Sequence, residues 1–177
     1  MKSRRFALGV LLLAFSSISS AVDGYKGVKF GSAFKDLKAA KLCTWKKYED
    51  NSIKGMDSYY CENFKFSGLT TVAMAFFLDG SFERFSIVVD KSQNVTALAE
   101  SLVQKYGKPS SSFTDDELKN VQKNGGELTI KFDNDTVMLG IKHDVSTNTD
   151  STMLLYSSSE YFGKLGKLQK SGFDNDL

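Results

Sequence analysis

Thr71–Val89 reads TVAMAFFLDGSFERFSIVV. Two apolar runs flank Asp79-Gly80, and both turn positions tolerate positive φ, so the stretch predicts a β-hairpin. VAMAFFL is apolar almost throughout, as expected of a strand covered on both faces. In FERFSIVV the alternation is two-fold. Phe82, Arg84, Ser86 and Val88 form one set; Glu83, Phe85, Ile87 and Val89 form the other and supply most of the apolar face. A hairpin with such a face needs further strands and helices to cover it, which makes the fold an α+β one.

Working outward, Ser58–Phe66 predicts a strand preceding this hairpin. YKGVKF (Tyr25–Phe30) alternates and reads as a first strand. Gly31 breaks it, and Ser32 is placed to cap a helix from Ala33 to about Leu42. Trp45–Gly55 is polar and turn-rich, and reads as a loop. Downstream, Val95, Leu98, Ala99, Leu102, Val103 and Tyr106 form one apolar stripe over three helical turns. Asn94 caps that helix, and Gly107 with Pro109 ends it. Thr114 and Glu117 form a capping-box pattern for a second helix through about Val121. ELTIKFD, TVMLGIKH and STMLLYSS read as three more strands, with Asp133-Asn134-Asp135 turning between the first two. Tyr161, Phe162, Leu165 and Leu168 fall at helical spacing in the tail.

The expected architecture is an antiparallel sheet with helices packed on one face. The order of elements divides into two tandem helix-plus-three-strand half-repeats, 25–90 and 91–158, with a C-terminal tail at 159–177.

The start of the chain, MKSRRFALGVLLLAFSSISSA, has the order of a leader: Lys2, Arg4 and Arg5, an apolar core over Phe6–Phe15, then small residues. This predicts a signal peptide over 1–21, cleaved before Val22, and a single α+β domain over 22–177. The apolar run is too short to span a bilayer, and no cysteine follows it to carry a lipid. The expected location is the bacterial periplasm or the medium. The whole chain carries 23 Lys+Arg and 21 Asp+Glu. The leader holds three of the basic residues and no acid, leaving 20 against 21, a net charge of −1. A near-neutral domain lacks the basic face that nucleic-acid binding requires.

Cys43 and Cys61 are the only cysteines. In an oxidising compartment they have one way to pair. Their spacing is not that of a C-x-x-C redox pair, and the single histidine, His143, is remote in sequence. The expectation is a structural disulfide worth on the order of 3 kcal/mol.

No residue pattern announces an enzyme. His143 lies on a predicted strand without a nucleophile motif beside it. Asp115, Asp116 and Glu117 occupy a first helical turn, where the helix dipole accounts for acids. FDND occurs at 132–135 and 173–176, but neither copy meets the calcium-loop pattern. The sequence therefore calls for no metal or other cofactor. Trp45, Lys46, Lys47, Tyr48, Tyr59 and Tyr60 cluster in or beside the segment that the disulfide would close. Aromatic residues with cationic neighbours on a constrained loop are the composition of a protein-binding hot spot.

FGSAFKDLKAAKLC (30–43) opens the first half and VTALAESLVQKYGKP (95–109) opens the second. An exported α+β chain of two such halves resembles the β-lactamase-inhibitor-protein-like architecture. That resemblance implies a scaffold for binding another protein and carries over no individual binding residue. The functional expectation is a non-enzymatic, protein-binding module, an inhibitor or immunity factor. The alternative is a small envelope hydrolase whose carboxylates meet only in the fold; a pair 5–10 Å apart in a deep pocket would mark it.

Overall fold

The computed structural model describes residues 21–49 and 52–176. The expected leader falls outside the described residues apart from Ala21. The elements are β1 (Gly24–Tyr25), β2 (Val28–Lys29), α1 (Phe34–Ala39), β3 (Lys46–Tyr48), β4 (Met56–Phe66), β5 (Leu69–Leu78), β6 (Ser81–Val89), α2 (Val95–Tyr106), α3 (Asp115–Asn124), β7 (Gly126–Phe132), β8 (Val137–Asp144), β9 (Thr149–Ser157) and α4 (Tyr161–Asp176).

Seven strands form one antiparallel sheet in the order β3-β4-β5-β6-β9-β8-β7. β4–β6 and β7–β9 are each an up-and-down meander, and their third strands join the two. The Asp79-Gly80 turn forms as expected, with φ of 48° and 78°. Ser67-Gly68, which closes the β4–β5 hairpin, has the same signs at 47° and 81°.

One face of the sheet carries the core. Phe64, Phe77, Phe82, Phe85 and Phe132 are fully buried; each contributes about 2 kcal/mol by area. Leu37 of α1, Leu102 of α2 and Val28 of β2 close over them. Asn94 accepts the Ala97 amide at 3.0 Å and Thr114 pairs with Glu117, so both expected caps form.

Four local readings are corrected. Tyr25–Phe30 is not one strand: Lys26 and Gly27 both adopt positive φ, 45° and 85°, and fold it into a miniature hairpin. Tyr25 then stacks on Phe85 with centroids 4.3 Å apart. The first helix spans only Phe34–Ala39, and Ala33 rather than Ser32 is its N-cap; the Asp36 carboxylate accepts the Ala33 amide at 3.1 Å. The supposed loop at Trp45–Gly55 contains the edge strand β3.

The fourth correction concerns the two-fold alternation in β6. A bulge opens between Phe76 and Phe77 of β5, so that Phe77 faces Phe82 while Phe76 faces Arg84. Glu83 is the extra residue. Phe82 therefore joins Phe77 and Phe85 in the core, with ring centroids 5.5 and 6.4 Å away. Glu83 turns instead toward the end of β9 and α4: Ser158 Oγ, just before the helix, and Lys164 Nζ, on it, donate to its carboxylate. α4 packs over the outer face, beginning where Tyr161 covers Arg84 at 3.7 Å.

Candidate functional site

The candidate site is the β3 margin of the sheet and the segment leading into it. Cys43 and Cys61 are bonded, with Cα atoms 6.2 Å apart. Cys61 is fully buried on β4, so the bridge anchors the approach to β3 in the core. Polar contacts continue the attachment. Asn63 accepts the Thr44 amide at 3.0 Å and donates to its hydroxyl at 3.3 Å. Lys46 reaches Glu62 at 2.7 Å, and Lys47 reaches Asp57 at 3.0 Å. Each lysine's pKa is raised, first by the hydrogen bond to its carboxylate. Both lysines are well exposed, so these pairs help fix register more than they add stability.

β3 and β4 pair Lys46 with Tyr60, Lys47 with Tyr59 and Tyr48 with Ser58. Alternation therefore divides the six expected binding residues. Tyr59 turns inward and stacks on Phe34 at 3.8 Å. Trp45 also turns inward, edge-on to Phe85 at 6.0 Å, with its indole nitrogen buried and unpartnered among the described residues. It lines a shallow recess of about 740 Å³ with Phe34, Leu42 and Lys38. On the outer face lie Tyr48, Tyr60 and Lys46. Tyr48 is 51% exposed and meets Tyr60 edge-on at 6.4 Å. Lys46 Nζ lies 5.6 Å from the Tyr60 ring centroid. Lys47 is on the inner side of the edge with Tyr59. The structure thus assembles Lys46, Tyr48 and Tyr60 into one surface and does not bring Trp45 and Tyr59 to it.

The same face of the sheet runs on from this surface into buried ground, since Ser86 and Met138 are covered. The register runs from Lys46 through Tyr60, Met74, Ser86, Leu155 and Met138 to Lys131. α4 borders this row on one side, where Arg84 is held under Tyr161 and Phe162. Arg84 Nε donates to Ser157 Oγ at 2.8 Å, and burial lowers the guanidinium's pKa. Sequence periodicity alone does not reveal this cluster of Glu83, Arg84 and the partly exposed Lys164. Its signal was a Glu-Arg pair inside an otherwise apolar strand run.

His143, Asp144 and Glu117 each engage partners close to them in the fold. His143 Nδ1 contacts Asp150 at 2.8 Å across β8 and β9. Asp144 instead accepts from Ser146 and Thr147 in its own turn. Glu117 is engaged by Thr114, which lowers its pKa through the backbone hydrogen bond first. Asp133, Asn134 and Asp135 all adopt positive φ in the β7–β8 turn. The second FDND copy includes side chains outside those described. Among the described residues, no group of three or more His, Cys, Asp or Glu is arranged to hold a metal ion. No described helix is long and apolar enough to cross a membrane.

The chain has relatives among known proteins. A family described as "Uncharacterised protein" matches residues 25–176. The chain belongs to that family. A Haemophilus influenzae protein, described as uncharacterised, is 33% identical over 162 residues, covering 90% of both chains. A Pasteurella multocida protein of the same description is 28% identical over 107 residues, covering 57% of this chain and 55% of its own. The family match spans both meanders and the whole β3 margin. No solved structure matches the chain. None of these matches bears the name of a β-lactamase inhibitor, so that resemblance rests on pattern alone.

Proposed function

We propose that the protein is an exported, non-enzymatic binding module for another protein, acting as an inhibitor or immunity factor. The observation that carries this reading is the exposed Tyr48 ring against the half-buried Tyr60, on an edge strand pair fixed covalently by Cys43–Cys61. Two rigid aromatic rings supply contact area at low entropic cost, and a strand already fixed loses little freedom on docking. The disulfide fits an oxidising compartment, and the leader-like start of the sequence supports export. Lys46 and Lys47 contribute less attraction than their charges suggest, because Glu62 and Asp57 already neutralise them. Recognition would therefore be dominated by the aromatic surface.

A photo-reactive residue at position 48 in the native host tests this. A discrete protein adduct is expected from position 48. The same probe at Val145, equally exposed in a remote turn, should yield none. Equal labelling at both positions, or no adduct at 48, would remove the proposed surface.

A further inference from the structure

Val22 is held at a point where a new chain terminus would meet a buried carboxylate. Its backbone N–H donates to Asp133 Oδ2 at 2.6 Å, across 111 residues of sequence. Asp133 is only 8% exposed, and it also accepts from the Thr136 hydroxyl at 3.1 Å. The position of Val22 is fixed from both sides. Its side chain packs against the core cluster, and the next residue, Asp23, accepts the Phe30 amide at 2.8 Å.

We infer that the Ala21–Val22 bond is a processing site, and that its hydrolysis creates an α-ammonium on Val22 that pairs with Asp133 and locks the mature fold. This rests on the export reading proposed above. A leader peptidase and one water molecule break the bond: the departing segment keeps the Ala21 carboxylate, and Val22 gains the ammonium. The nitrogen need not move to do so, because it already lies at hydrogen-bond distance from Oδ2. The neutral amide donor becomes a charged one, and charge-assisted bonds to a desolvated carboxylate are the stronger kind. Cleavage one residue to either side would not place the charge there.

The α-ammonium would gain a partner on folding, so its folded pKa would rise above the ordinary value of about 7.7–8.0. The stabilisation is then complete below that value and lost as pH rises through the folded pKa. On the Val22 side, a recess is lined by six titratable groups, Asp23, Lys26, Lys105, Tyr25, Tyr106 and Tyr156, and on the Asp133 side Lys131 and Asp135 pair across the same turn. All of these are shared by wild type and Asp133→Asn, so the difference between those two proteins isolates the pair.

The test is intact mass of the exported protein, followed by melting curves against pH for wild type, Asp133→Asn and Thr136→Val. A mass corresponding to a Val22 start is expected. Asp133→Asn should lower Tm by about 5 °C or more at pH 6–7, and the gap should narrow above about pH 8. Thr136→Val removes a hydroxyl donor to the same carboxylate and should shift Tm without changing the pH profile. The full unprocessed chain, made without export and oxidised in vitro, should lose less from Asp133→Asn than the exported form. A start at any other residue overturns the inference while leaving export intact. An unprocessed exported chain overturns the leader reading itself. A pH-independent gap, equal in processed and unprocessed chains, overturns the ammonium pair alone.

Discussion

Glu83 on β6 and Lys164 on α4 meet at 2.6 Å across 81 residues of sequence. The carboxylate is buried, with 1% side-chain exposure, whereas the lysine keeps 39%. One end of the pair is thus committed to the protein and the other still touches water. The β6 bulge creates this asymmetry by turning Glu83 out of the aromatic core and under α4.

Lys164→Met should therefore cost about 1–2 kcal/mol in urea unfolding. That is less than a fully buried pair would lose, because the lysine is partly hydrated and Ser158 remains as a donor. The lysine's pKa is raised, first by its hydrogen bond to Glu83. Its contribution is complete below the ordinary lysine range and is lost as pH rises through the folded value. Wild type should accordingly approach Lys164→Met in stability above about pH 10. A gap unchanged at high pH would show that packing, not charge, holds α4.

Tyr25 makes an independent alkaline prediction. Burial, then Tyr106, pushes its pKa up to about 12 from 10.0. Between these values the unfolded chain ionises the phenol and the folded chain does not, so stability falls as pH rises. Tyr25→Phe should retain on the order of 1 kcal/mol more of its neutral-pH stability than wild type at pH 11–12, after discounting for the partly exposed ring. Parallel pH profiles for the two proteins would contradict this.

Replacing both Cys43 and Cys61 by serine should cost about 3 kcal/mol in the chain-entropy model. Beyond that global cost, β3 should lose protection selectively. Hydrogen exchange should speed up at Lys46–Tyr48 before it does in β5 or β6. Uniform acceleration across the sheet would mean that the bridge holds the whole domain rather than its margin.

Trp45→Ala and Tyr48→Ala should separate stability from recognition. Trp45 packs edge-on to Phe85, so its truncation should cost about 2–3 kcal/mol. Tyr48 is half exposed, and Tyr48→Ala should change stability by less than about 0.5 kcal/mol while weakening partner cross-linking. A destabilised Tyr48→Ala, or a stable Trp45→Ala, would reverse the assignment of the two rings.

Much of this architecture is legible locally. The α2 stripe, the Asn94 and Thr114 caps and the Asp79-Gly80 turn all depend on residues within a few positions of one another. What failed was also local in sequence but non-local in cause. Lys46–Tyr48 has no strand signature of its own; β4 supplies its hydrogen-bond partners. The Lys26-Gly27 turn sits where the alternation of Tyr25–Phe30 breaks, with apolar residues at 25, 28 and 30, and its positive φ at a lysine is not marked by residue type. In the candidate site, the pairing of Cys43 with Cys61 was legible because only two cysteines exist. The division of its aromatic residues between two faces was not, because that division depends on the β3–β4 register.

The sequence by itself determined the hairpins, the capped helices, the disulfide and the α+β class, because turn chemistry, apolar period and cysteine count act over short distances or leave one solution. Only the tertiary structure decided that β6 lies beside β9, that Glu83 leaves the core while Phe82 enters it, and that Tyr48 faces solvent while Trp45 does not. Those outcomes depend on which strands meet and in what register. A bulge of one residue exchanges the faces of everything on one side of it, and the partner that settles the exchange, Lys164, is 81 residues away.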